Sequence, residues 1–438
     1  LTSDIELGEP TMALGYVRYK YTYTSSAIYG TYLKRYFTDL ENVNFQFTTA
    51  DGIRHSLIFP TDVQTSGFLT AYDASIAVSN IILDGGGKSS LVFFFDHCDL
   101  TINEGTLITG FDTNGGAPIS LTNSGTMTMN GGEISNNVGS GGVVGCGAIH
   151  LSGGTFVMNG GKICNNAAYT TFGGAVFLDS YRTLNSEGTY DLVASSFIMN
   201  DGEISGNTAK GAGGVYVFGG SDFEMNGGRI CNNRAVQTEQ TVYGNCEGGG
   251  GLYLRQGASA VINGGIINNN STEISGGGII VFNGSTLTMT GGEICGNTAD
   301  SHGGAVCVAD DFSTSIEGGS SKATFSGTKI SGNTANCVYS DTTEEHNADG
   351  FASGGGAIYV HEDSTVELLD NTTVENNKTL NGGDGGAIYI CHTGKLVLAN
   401  NDIRGNTASG NGGAIYVQGS GKYTGNLLTG SANDGHGA

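Results

Sequence analysis

The chain has 438 residues, of which 76 are glycine, with three prolines, no tryptophan and only 13% charged residues. Proline scarcity and the lack of a Gly-X-Y period exclude collagen. A hydrophobic fraction of 38%, with 19 Phe and 19 Tyr, argues against plain disorder. Eighteen basic against 41 acidic residues give a net charge of −23, which excludes nucleic acid and anionic membrane as natural partners. No apolar run reaches membrane-helix length; the longest, Leu91 to Phe95, is strand-sized.

The chain opens on Leu1 without Met or a signal peptide, as expected of a processed form or an excised fragment. Ile28, Tyr32, Leu33, Tyr36, Phe37 and Leu40 fall at helical spacing, so an amphipathic helix is predicted over 27–40. It would cap the first turn of a repeat structure, within an N-terminal cap region over 1–55. Gly85-Gly-Gly-Lys-Ser89 is similar to a phosphate loop but lacks its first glycine, and the residues after it read as strand.

From about Leu100 onward the chain repeats itself. Met129-Asn-Gly-Gly-Glu-Ile-Ser-Asn-Asn137 returns at Met158–Asn166, Met199–Asn207, Met225–Asn233, Ile262–Asn270, Met289–Asn297 and Phe325–Asn333, and more loosely up to Asn377 and Asn406. The aliphatic anchor recurs from Ile134 to Ile403 in steps of 26–29 residues, enlarged by insertions. A second phrase, as in Gly356-Ala-Ile-Tyr-Val360, follows in each unit. Both phrases hold three to five β-prone residues between Gly/Asn corners, too short for helices. Three short strands per 26–29 residues match one rung of a right-handed parallel β-helix, whereas a propeller blade needs about 40 residues. The expected architecture is therefore all-β: a single solenoid of about 11–12 rungs over residues 56–438. Because Gly430–Ala438 carries no cap, the natural protein is expected to continue.

Stacked rungs would align Asn137, Asn166, Asn207, Asn233, Asn270, Asn297, Asn333, Asn377 and Asn406 into an amide ladder. Glu133, Lys162, Glu203 and Arg229 alternate in sign in another column, which favours pairing across rungs on an exposed face. Cys164, Cys231 and Cys295 occupy every second rung of one column, about 9.6 Å apart, too far to bridge one another.

The phrases GGA[IVL], at Gly173–Val176, Gly303–Val306, Gly355–Ile358, Gly385–Ile388 and Gly412–Ile415, and FxxN, at Phe156–Asn159, Phe197–Asn200 and Phe223–Asn226, carry a family resemblance. Over roughly Leu100 to Val417 the chain resembles the repeats of polymorphic outer membrane proteins and related adhesin-like β-helices. That resemblance implies a surface-exposed, adhesive β-helix. The C-terminal barrel of such proteins is missing from these residues.

Four insertions interrupt the rhythm, at 179–195, 234–249, 309–322 and 335–354, and function on a solenoid is expected in such loops. Asp341, Glu344, Glu345 and Asp349 could hold Ca²⁺ through carboxylates, though without the spacing of a known calcium loop; no other cofactor is expected. Tyr216, Tyr253, Tyr359, Tyr389 and Tyr416 share a strand position. If their neighbours point inward, they form an outward aromatic stripe for glycan or protein; the opposite parity puts them in the core. Asp310, His361, Asp363 and His392 fall at one corner of consecutive rungs, where they could serve acid/base chemistry or a metal.

The leading expectation is a monomeric, secreted or surface-displayed adhesin for a host protein or glycan, with no membrane insertion in this segment. A polysaccharide lyase or glycoside hydrolase centred on the acid corner is the alternative. A plain structural spacer is the third reading.

Overall fold

Stacking the two phrases in register builds long parallel sheets. The computed structural model describes residues 5–6, 20–23, 33–36, 44–48, 53–58, 69–72, 75–89, 93–114, 116–140, 145–236, 248–310, 320–338, 354–361, 363–391, 393–418 and 422–425. Among them every regular element is a strand. A 13-stranded sheet runs from Asn44–Phe47 to Lys422–Gly425, and a 12-stranded sheet from Leu69–Tyr72 to Ile415–Val417. A 21-stranded sheet collects the Glu-Ile-Ser strands together with short Thr-Ala strands. Pairing between rungs is parallel throughout, as between Thr126–Met129 and Thr155–Met158. The molecule is a parallel β-helix.

The period of two explains the interior. In Thr155-Phe-Val-Met158, Phe156 and Met158 are buried while Thr155 and Val157 face outward. Equivalent residues then stack: Phe156 lies 4.5 Å from Phe197, which lies 5.1 Å from Phe223, ring centroid to centroid. The Ile134 to Ile403 column closes the same core from the second face.

The predicted cap helix over 27–40 is corrected. Leu33–Tyr36 is a strand, paired antiparallel with Lys20–Tyr23. Helical spacing of apolar residues is weak evidence over one short stretch, since an isolated helix of that length is marginal in water. Tyrosines in both partners, with Thr22 in the first, favour the strand pairing that wins. Pairing within the solenoid's sheets reaches as far as Asn44–Phe47, which joins Ser75–Val78, and Ile5–Glu6, which joins His55–Ile58.

The asparagine ladder stands as expected and is internal. From Asn137 to Asn377, each Nδ2 donates to Oδ1 of the next asparagine at 2.9–3.0 Å. Each Oδ1 also accepts the backbone N–H of the preceding ladder residue. The second amide hydrogen goes to a carbonyl of the rung before, as Asn233 to Ile204 at 3.0 Å. An interior amide thus uses two donors and two lone pairs, its full capacity. The residue preceding it is Asn or Gly because the backbone is left-handed there: Asn165 has φ 56° and its neighbour in the next rung, Gly206, φ 66°.

A second asparagine column, from Met-Asn-Gly-Gly, runs along the outside. Asn130, Asn159, Asn200, Asn226 and Asn263 each donate Nδ2 back to Oδ1 of the previous rung at 2.9–3.1 Å. The charged column is less uniform than its alternation suggests. Lys329 reaches both Glu293 (3.5 Å) and Glu375 (3.4 Å), whereas Glu133 and Glu203 accept from Ser135 and Ser205 beside them.

Candidate binding surface

The tyrosine column splits the side chains of the 12-stranded sheet between two cores. In Val215-Tyr-Val217 the valines join the main core, and Tyr216 points the other way. It does not reach solvent. Tyr216, Tyr253, Tyr359 and Tyr389 are at most 2% exposed, within a second cluster with Phe177, Ile280 and Cys307, and Tyr416 at the last rung is half-buried. Of the two parities left open, the one that turns the tyrosines away from the main core holds, but the exposed stripe is corrected to an inner aromatic layer. Its lid is the Gly-rich segment before each strand, which folds back over the sheet. Gly276 sits so close to Ile279 and Ile280 that a Cβ would overlap them. These segments bond from rung to rung themselves, as Gly250 N to Gly276 O at 3.2 Å.

At the acid corner, Asp310 accepts from Gly284 N (3.1 Å), Ser321 N (2.8 Å), Ser321 Oγ (2.6 Å) and Ser364 Oγ (3.2 Å). Both of its oxygens are therefore spent on holding turns together. Asp363 is exposed and accepts from Thr393 Oγ1 at 2.9 Å. His361 is half-buried, 6.1 Å from Tyr359 ring to ring, and His392 lies outside the described residues. So do Asp341, Glu344, Glu345 and Asp349. Among the described residues no three His, Cys, Asp or Glu side chains are placed to hold a metal ion. The column thiols Cys164, Cys231 and Cys295 are free. Burial pushes the Cys146 and Cys337 thiols up to about 12, which makes them poor nucleophiles.

Of the four insertions, 179–195 is described throughout, and it forms a hairpin. Tyr181–Leu184 pairs antiparallel with Tyr190–Val193, with Leu184 directly opposite Tyr190 and Arg182 opposite Leu192. Its turn is held by one side chain that the sequence reading passed over. Asn185 Oδ1 accepts the N–H of Glu187 (3.1 Å) and Thr189 (2.9 Å), and Asn185 Nδ2 donates to Thr189 Oγ1 (2.7 Å) and Asp191 Oδ1 (2.9 Å). Asn before Ser-Glu-Gly is a recognisable turn signal, and Gly188 supplies the left-handed residue, φ 77°.

The base of the hairpin is bolted to the rungs on both sides. Ser180 Oγ donates to Gly219 O and Ser195 Oγ to Asp179 O, both at 2.6 Å, while Gly153 N donates to Ser195 Oγ at 2.9 Å. Tyr181 and Val193, on one face, pack against Gly153, where a Cβ would come within 2.6 Å and 2.8 Å of them. Leu192, on the other face, lies over Gly220. Below it, His150 Nε2 stands 4.0 Å from Asp179 Oδ2. Burial pushes His150 down to about 4 and raises Asp179, so both lean toward their neutral forms. The tip is left in water: Leu184 is 62%, Tyr190 66% and Leu192 51% exposed.

Residues 402–418, which carry two of the three strands of one turn, match the model of the Chlamydia polymorphic membrane protein repeat. The chain carries a polymorphic-membrane-protein-like repeat. The matched stretch contains the Asp402–Arg404 strand, ladder residue Asn406, the Gly412 turn and the Ile415–Val417 strand. Earlier rungs stack on this repeat in register, Ile403 on Val374 and Tyr416 on Tyr389. The match relates the chain to surface-associated outer-membrane proteins, and no particular binding activity comes with it. Neither the curated proteins nor the solved structures contain a match. Among the described residues no helix is long and apolar enough to cross a membrane.

Proposed function

We propose that this chain is a cell-surface binding module, an adhesin-like rod that presents inserted loops to a host surface protein or glycan. The observation that carries this reading is the hairpin of insertion 179–195. A solenoid gains nothing in stacking from a loop that leaves large apolar side chains in water, and exposed apolar clusters of this kind mark interaction sites. The polymorphic-membrane-protein-like repeat supports display at a surface. The net charge of −23 keeps such a rod soluble and directs it away from nucleic acid and anionic lipid.

The test is binding by the purified full chain to a glycan array and to immobilised extracellular host proteins. Saturable binding that weakens when residues 181–193 are replaced by a short Gly-Ser turn is the expected result. No binding on either surface would leave the rod a spacer and overturn the reading.

A further inference from the structure

We infer that the Tyr181–Val193 hairpin is a docking ledge for an extended, basic protein segment with apolar side chains; this rests on the binding-module reading above. Nine large apolar side chains are conspicuously exposed among the described residues, and three of them, Leu184, Tyr190 and Leu192, sit on this one hairpin. The strand register puts all three on the same face, with Arg182. That face turns toward Gly220 of the following rung, while the opposite face is the one packed on Gly153. The apolar side chains therefore line a step between the hairpin and the solenoid flank.

The ledge is rigid before anything binds. Asn185 fixes the turn with hydrogen bonds in both directions, and the serine clamps fix the base. Preorganisation of this kind lowers the ordering cost that an exposed hairpin would otherwise pay on association. The two strands pair only with each other among the described residues, so backbone groups on an outer edge are left for an added strand.

Charge selects the occupant. The hairpin carries Glu187 and Asp191, and Asp222 pairs with Ser196 just past its base, against the single cation Arg182. A second copy, itself at −23, is repelled from this flank, and three side chains offer far less than the roughly 800 Å² per partner of a stable dimer. A short segment alternating Lys or Arg with Val, Leu or Phe satisfies the apolar face, the free edge and the acidic surroundings together.

Fluorescence anisotropy of a labelled synthetic peptide alternating Lys with Val and Phe, titrated with the full chain, tests this. A peptide with Glu in place of Lys serves as the comparison. The expected result is saturable binding of the basic peptide, at least tenfold weaker for the acidic one. Leu184→Ser with Tyr190→Ser should weaken it at least tenfold with no change in net charge. Asn185→Gly, which leaves the ledge's side chains in place but frees the turn, should weaken it severalfold, with circular dichroism reporting that the solenoid is intact. Equal binding by Leu184→Ser/Tyr190→Ser would reduce the effect to diffuse charge and overturn the inference. A glycan hit without peptide binding would also overturn it while leaving the binding-module reading standing. Silence from both peptide and array would remove that reading as well.

Discussion

Two asparagine columns climb the rod with almost the same amide-to-amide distance, one inside from Asn137 to Asn406 and one outside from Asn103 to Asn263, and they do different work. The interior column, through Asn207, Asn233 and Asn270, is sealed from water and engages every donor and acceptor it has. The exterior column, through Asn200, Asn226 and Asn263, makes one amide bond per rung and faces solvent. The bonds also run in opposite senses: interior amides donate forward along the chain, exterior ones backward. A hydrogen bond traded against water contributes little, whereas a buried group left without its partner costs its full desolvation. The same residue in the same ladder geometry is thus indispensable in one place and nearly neutral in the other.

The largest expected effect comes from Asn233→Leu. It strips the acceptor from Asn207 N–H and Nδ2, the side-chain donor from Ile204 O, and one of the two donors from Asn270 Oδ1, all buried. At about 1–3 kcal/mol per orphaned group, the loss should be about 4 kcal/mol or more. Urea titration together with hydrogen exchange should show protection collapsing at rungs 207–270. A loss under about 1 kcal/mol would erase the distinction between the columns.

Buried polar groups outside the ladder should be the acid-sensitive ones. His150 Nε2 and His302 Nδ1 are shut off from solvent without a hydrogen-bond partner, in the aromatic layer, where His302 stacks on Tyr359 at 4.4 Å. Burial, assisted by His361, pushes His302 down to about 3, and burial pushes His150 down to about 4. Both values lie below the unfolded 6.5, so the unfolded chain takes up the protons first. Stability is full above pH 6.5 and drains as pH falls toward the folded values. At pH 5 each histidine should cost about 2 kcal/mol. His302→Phe should recover that amount at pH 5 relative to pH 7.5 in denaturation curves; an unchanged pH slope would contradict the assignment.

Asn226→Ala, in the exterior column, should cost about 0.5 kcal/mol or less. A loss comparable to that of Asn233→Leu would mean that the outer amides carry the stacking after all.

Much of this was readable in the one-dimensional pattern. Asn137 to Asn406 recur at a fixed offset from the aliphatic anchor, and stacked rungs give identical residues no other neighbour. The exterior ladder was equally legible in Met-Asn-Gly-Gly, where an asparagine recurs one residue past the methionine. For the tyrosines neither parity nor burial was derivable, because Val215, Tyr216 and Val217 are all apolar. The lid comes from the glycine segment preceding each strand, whose path depends on left-handed residues such as Gly276. Leu33–Tyr36 misled because helical spacing over one short stretch is also compatible with a strand whose partner, Lys20–Tyr23, lies ten residues away. The hairpin was visible as an insertion, while its apolar face depends on the register of Leu184 with Tyr190.

The sequence by itself determined the rung, the parallel stacking and which residues meet in columns, because repetition at 26–29 residues leaves each side chain only its own kind above and below. Tertiary structure alone decided which columns face water. That choice rests on how glycine segments fold back over a sheet and how Asn185 and the serine clamps hold one loop upright, and neither path is periodic in the sequence. Composition made glycine the most conspicuous residue; the packed molecule shows it working as corner and as lid.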